Sequence, residues 1–237
     1  MKPWETLATA VTPDGSTLTL RRHDGDYVIH ANGYDLMTSR QHVSEEAMMA
    51  LACPHPKPGA RVLIGGLGMG YTLRAALDLL PPDGEAVVGE LIPEVVDWNH
   101  GPLGPLAGHP LDDPRTTVEV GDVGRVIKRA EARFDAILLD VDNGPSAPTQ
   151  RGNLWLYSHS GLAAIHRALR PGGTLAIWAT DNEPTFERTL RAAGFEPSTH
   201  LVPAHGKRGK LFVIFVGKRR AQAGPPASLP SRTRARG

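Results

Sequence analysis

The residues most suggestive of chemistry stand at the end of an apolar run. Phe134-Asp135-Ala136-Ile137-Leu138-Leu139-Asp140 is followed at once by Val141-Asp142-Asn143-Gly144-Pro145. Two acids and an amide in four residues are costly to hold beside a buried strand unless they bind something. At the C-terminal edge of a parallel strand they point into a ligand crevice, which gives Asp140 a functional role. A second cluster, Gly65-Gly66-Leu67-Gly68-Met69-Gly70, lies between an apolar strand and a helix. Glycine there permits a tight turn and close approach of a ligand to the backbone, with helix N-terminal N–H groups facing the crevice. Its spacing excludes two common uses. Tyr71 stands where a dinucleotide fingerprint starting at Gly66 needs its third glycine, and also where a phosphate loop needs lysine. Glu90 ends the next strand, where a carboxylate can accept both hydroxyls of an adenosine ribose. Asp122, in Val120-Gly121-Asp122-Val123, either accepts from an adenine amino group or caps a helix, and it can do both.

Positioning these groups requires alternating strands and helices. Apolar runs of strand length at 61–64, 86–89, 117–120, 136–139 and 174–178 alternate with helical patterns at 71–80, 93–98, 123–132, 156–169 and 184–193. That is the sequence form of βαβ units around a mainly parallel sheet. Two further strands, 198–202 and 211–216, flank a short connection without a helix, so they should pair antiparallel. Leu169-Arg170-Pro171-Gly172-Gly173 reads as a helix stop and turn. Ahead of all this, short strands separated by Pro13-Asp14-Gly15, Asp24-Gly25 and Asn32-Gly33 form a meander, and a helix capped near Ser44 follows and stops before Pro54. Three units result: meander and first helix at 1–53, the βα region at 59–217, and a basic tail at 218–237 that reads as disordered.

The 237 residues are 41% hydrophobic and 22% charged, enough for a real core. One cysteine, Cys53, excludes an intramolecular disulfide framework and a multi-cysteine metal cage, and the histidines lack ligand spacing, so no metal is expected. No apolar run approaches a membrane span and the N-terminus lacks a secretory pattern, which reads as a cytoplasmic chain. Six of the 26 Lys and Arg residues and no acid fall in 218–237, so the body holds 20 basic residues against 25 acidic ones. An acidic body suits a cationic substrate better than nucleic acid.

The stretch from Arg61 to Trp178 resembles the class I S-adenosylmethionine-dependent transferases: the glycine turn, Glu90, Gly121-Asp122, the FDAILLD strand and LRPGG follow in order. Within that superfamily it is similar to the spermidine synthases, through the meander, Gly70-Tyr71-Thr72-Leu73-Arg74, Leu111-Asp112-Asp113-Pro114-Arg115 and the acidic loop after Leu139. The resemblance implies a Rossmann-like seven-stranded α/β fold with a small N-terminal β-meander. It also implies a homodimer and a nucleoside site formed by Gly65, Gly66, Leu67, Gly68, Met69, Gly70, Glu90, Leu91, Asp122, Val123 and Asp140. Departures are equally visible. Met69 replaces the aspartate that grips the amine of decarboxylated S-adenosylmethionine, the DSSD loop becomes Asp140-Val141-Asp142-Asn143, and Ser44-Glu45 stands at the family's Tyr-His pair. The expected reaction is alkyl transfer from S-adenosylmethionine, with methyl first and aminopropyl from the decarboxylated cofactor as the alternative, to a small amine or amino-acid-like acceptor. An amine of pKa about 10 arrives protonated, so Asp140 would attract it and take its proton. Asp142 and Asn143 would orient the substrate, and Tyr157 would either close the pocket or pack in the core. A non-catalytic nucleoside-binding or RNA-binding protein is the rival of another class; Lys207, Arg208 and Lys210 supply charge for it but no aromatic platform.

Overall fold

Turn chemistry builds the first layer. The computed structural model describes residues 3–32, 34–141, 144–145, 153–205 and 208–220. Strands β1 (Glu5–Val11), β2 (Thr17–His23), β3 (Asp26–Ala31) and β4 (Tyr34–Thr38) pair in chain order as an antiparallel sheet. Asp24 and Gly25, both at positive φ, make the two-residue turn between β2 and β3 whose twist matches the flanking strands. Leu18, Leu20 and Ile29 turn inward from this sheet.

Helix α1 (Val43–Ala52) ends before the Pro54–Pro58 stretch, where the alternation begins: β5 (Arg61–Gly65), α2 (Tyr71–Leu79), β6 (Glu85–Glu90), α3 (Pro93–His100), β7 (Thr116–Val120), α4 (Val123–Arg129), β8 (Phe134–Leu139). It continues with α5 (Leu154–Tyr157), α6 (His159–Ala168), β9 (Leu169–Ala179), α7 (Pro184–Ala192), β10 (Phe195–His205) and β11 (Arg208–Arg219). The order across the sheet is β10-β11-β9-β8-β5-β6-β7, and β11 alone runs against the rest. Strand order reverses between β5 and β8, which opens a crevice beyond their C-terminal ends. Both sheet faces are covered, so the central strands are apolar throughout. Val62, Ile64, Ala136 and Leu138 face α1–α3 and the meander, whereas Leu63, Ile137 and Leu139 face α4–α7.

Several expectations shift at element ends. His42, not Ser44, precedes α1, and the buried Ser44 hydroxyl is engaged elsewhere. The helix expected over 156–169 is two, because Ser158 caps a new one by accepting from Gly161 N–H at 3.1 Å. Helix α4 stops at Arg129, not Ala132: Ala132 takes a positive φ and donates to the Arg167 carbonyl at 2.9 Å. Leu169 already belongs to β9, and the Arg170-Pro171-Gly172-Gly173 turn chemistry appears as a register shift opposite Phe134 and Ala136. Strand β11 runs to Arg219, so Lys218 and Arg219 belong to the sheet and not to a tail; Arg219 donates to the carbonyls of His166, at 2.7 Å, and Leu169. The tail from Ala221 lies outside the described residues.

Candidate active site at the strand reversal

The glycine turn leaves β5 by a path that side chains would block. Gly66 has φ 85°, and a Cβ there would lie 2.4 Å from the Asp140 carbonyl oxygen. A Cβ on Gly68 would lie 2.9 Å from Met37 Sδ of β4. Leu67 and Met69 send their side chains into the α1–α3 layer, 4% and 0% exposed, which leaves the turn's backbone for a ligand. The Met69 side chain is thus core. Glu90, on the same sheet face by alternation from Ala86 and Val88, accepts from Leu67 N–H and Ile92 N–H, each at 2.8 Å. Burial raises its pKa and these backbone bonds oppose the rise. An ionised carboxylate has about four acceptor sites, so these backbone bonds leave acceptor capacity over. Leu91 is partly buried against the same layer.

Asp122 caps α4, accepting from Gly124 N–H at 2.7 Å. Val123 fills the space that Cβ atoms on Gly65 and Gly89 would need. Asn99 escaped the sequence reading. It is 1% exposed, donates through Nδ2 to the Gly68 and Val95 carbonyls at 2.9 Å each, and leaves Oδ1 without a hydrogen-bond partner. Nothing in its local sequence signals a grip on a turn 31 residues earlier.

Across the crevice, Asp140 N–H donates to the Gly65 carbonyl at 2.9 Å, and Thr72 Oγ1 donates to Asp140 Oδ2 at 2.9 Å. Parallel register pairs Leu139 with Ile177, which sets Asp140 beside Trp178. Trp178 Nε1 donates to Ser44 Oγ at 3.0 Å, and the Ser44 hydroxyl donates to Glu45 Oε2. Glu45, 7% exposed, is the second residue that sequence reasoning missed as a site acid. Burial and then the neighbouring Asp140 carboxylate push Glu45 up to about 7. Burial pushes Asp140 up to about 6, against the Thr72 hydrogen bond. Tyr71 stacks on His42 with ring centroids 4.1 Å apart; burial, with Glu46 and Glu45 nearby, lifts its phenol to about 12. Among the described residues no Lys, Arg or His side chain pairs with Glu45 or Asp140.

Asp142 and Asn143 lie outside the described residues. Tyr157 belongs to the opposite layer, edge-on to Phe186 at 6.3 Å, because α5 faces the side of the sheet that Leu139 faces. Trp155 is occupied on that side too, under Lys128 Nζ at 4.1 Å. No group of three His, Cys, Asp or Glu among the described residues is arranged to hold a metal, and no helix among them is long and apolar enough to cross a membrane.

A seven-stranded sheet of this order, with a glycine turn after the first βα strand and an acid closing the second, is the fold of the class I S-adenosylmethionine-dependent transferases. The chain belongs to the spermine/spermidine synthase domain family, whose match spans residues 41–219. It is 35% identical over 197 residues to polyamine aminopropyltransferase 2 of Streptomyces coelicolor, covering 78% of this chain and 34% of that protein. Putrescine N-methyltransferase 4 of Nicotiana tabacum is 34% identical over 127 residues, covering 53% of this chain and 30% of that protein. The crystal structure of spermidine synthase from Thermotoga maritima has the same fold, with a TM-score of 0.69 at 17% identity over 90% of this chain and 72% of that one. The chain spans between 34% and 49% of the length of the first curated relatives it matches.

Proposed function

We propose that this chain moves an aminopropyl group from decarboxylated S-adenosylmethionine to an aliphatic polyamine-type amine. The observation that carries the reading is Asp140: an acid beside the glycine turn, fixed by Thr72 and facing no described cation. The sulfonium supplies the electrophilic carbon, and the protein need only bring a neutral nitrogen in line with the breaking C–S bond. Glu90 and the turn's backbone would hold the nucleoside. Asp140 would hold the acceptor's ammonium and take its proton, and the raised pKa suits a base working near neutral pH. A crevice wall with two acids and no described counter-cation favours a donor that lacks a free carboxylate. The aminopropyltransferase relatives support the same donor.

Methyl transfer from S-adenosylmethionine, which the sequence alone puts first, is the second reading; the putrescine N-methyltransferase match favours it. Met69 weighs less toward it than its sequence position suggests, since its side chain is buried in the core. Melting the chain with each donor separates the two, because a ligand bound to the native state raises apparent stability. A larger rise with the decarboxylated donor, and an aminopropyl gain in product mass with putrescine, is the expected result. A larger rise with S-adenosylmethionine and a methyl gain overturns it.

A further inference from the structure

We infer that Glu45 is the second carboxylate of the acceptor socket: with Asp140 it forms a cation-binding pair that seats the reacting ammonium against Trp178. The inference rests on the proposed reading of Asp140 and adds to it the residue that completes the socket.

The geometry starts at the sheet. Asp140 continues β8, Trp178 stands beside it on β9, and Thr72 of α2 donates to one Asp140 oxygen at 2.9 Å. The first turn of α1 crosses this corner. Its Ser44 is fixed by Trp178 Nε1 at 3.0 Å and in turn donates to Glu45 Oε2. One Glu45 oxygen is therefore anchored to the wall in a side chain only 7% exposed, and no described Lys, Arg or His side chain pairs with it. A buried acid so held is costly unless a cation reaches it. Glu46 on α1 is taken up by His42 Nδ1 at 2.8 Å, and Tyr71 on α2 is neutral and stacked on His42. On α2, Arg74 is paired with Asp78 at 2.6 Å. The corner thus combines two buried acids and no described cation beside Trp178, which is the chemistry that recognises an alkylammonium.

The proton balance follows. The fully ionised pair binds R–NH3+, one proton passes to a carboxylate, and the free amine attacks the carbon on sulfur. The C–N bond forms as the C–S bond breaks, its electron pair stays on sulfur as a neutral thioether, and the product leaves as a secondary ammonium. The carboxylate then returns its proton to water. Two carboxylates suit both halves of the step: two charges capture the ammonium, and one stays ionised after the other takes the proton.

Replacing Glu45 by Gln keeps shape and removes one charge. Amine capture needs both acids ionised, so the acid limb of kcat/KM for putrescine is expected near pH 7 in the natural chain. In E45Q it should move down toward pH 6, the step left to Asp140 alone. KM for putrescine should rise at least tenfold while kcat at saturation changes less. A residue that merely supports the fold would leave the limb where it is. Glu45→Asp, which restores the charge, should return the limb toward 7. An unmoved limb in E45Q overturns the role of Glu45 and leaves Asp140 untouched. Calorimetry on the natural chain with methylthioadenosine bound needs no variant: putrescine binding near pH 6, in two buffers of different ionisation heat, should release about one proton. No release overturns the pair; no putrescine binding under any condition removes both this inference and the proposed function.

Discussion

The two faces of the central sheet are built from the same apolar alphabet and used differently. Against α4–α7 the sheet buries Phe134, Leu63, Ile137, Leu139, Ile177 and Phe215. Against α1–α3 it buries similar residues together with Ser44, Glu45, Thr72, Glu90 and Asn99. Buried polar groups cost free energy unless they are satisfied, so their confinement to one face marks where stability is exchanged for chemistry. The far face is scaffold, and its role is to hold the strand ends at fixed spacing.

Substitutions can test that division. Asp140→Asn should produce the largest change, a fall in turnover of about a thousandfold, with the donor-induced rise in melting temperature retained; removal of a positioned base is worth roughly that much. Steady-state rates and melting curves on the same preparation decide it. On the far face, Phe186→Ala removes a ring packed against Tyr157 and Phe215 and should cost about 3–4 kcal/mol of stability in denaturant titration. The acid limb for putrescine should not move. If it moves, the faces are not independent.

Next in size is a pH effect on the site face. The folded chain holds protons on Glu45 and Asp140 more tightly than the unfolded chain does. Their contribution is therefore present below the ordinary carboxylate range and lost as pH rises through about 7. For Glu45, moved from 4.5 to about 7, the loss is of order 3 kcal/mol at most. The melting temperature should fall between pH 5 and pH 8, and Glu45→Gln should flatten that fall; an unchanged slope would count against a strained acid at this position. Smallest is Asn99→Ala, which frees the Gly68 carbonyl and should cost about 1–2 kcal/mol, read as lowered stability with weaker donor binding.

How much of this was readable in the amino-acid order depended on the distance between partners. The glycine turn, Glu90, Asp122 and Asp140 each announce themselves within one strand-to-helix junction, and the alternation around them gave the sheet. Glu45 could not be read that way, because its environment is assembled from Asp140 and from Trp178, whose bond to Ser44 spans 134 residues. Ser44 illustrates the competition: serine is a good cap near a helix start, but here its hydroxyl is drawn to the indole and His42 takes the boundary. For Tyr157 the sequence leaves two places open, the pocket and the core, for another reason. A short helix after a loop can present its aromatic to either side of a sheet, and periodicity does not say which. Element ends moved by a few residues wherever a local device, such as the Ser158 cap or the bulge at Arg170–Gly173, outweighed the wider pattern.

The close approach of Gly66 to the carbonyl of Asp140 carries one last implication. The glycine turn and the proposed base meet main chain to main chain, with no side chain between them to act as a spacer. On the proposed reading the spacing between the leaving sulfur and the base is set by the skeleton of the sheet, and the choice of acceptor is left to the side chains that line the walls.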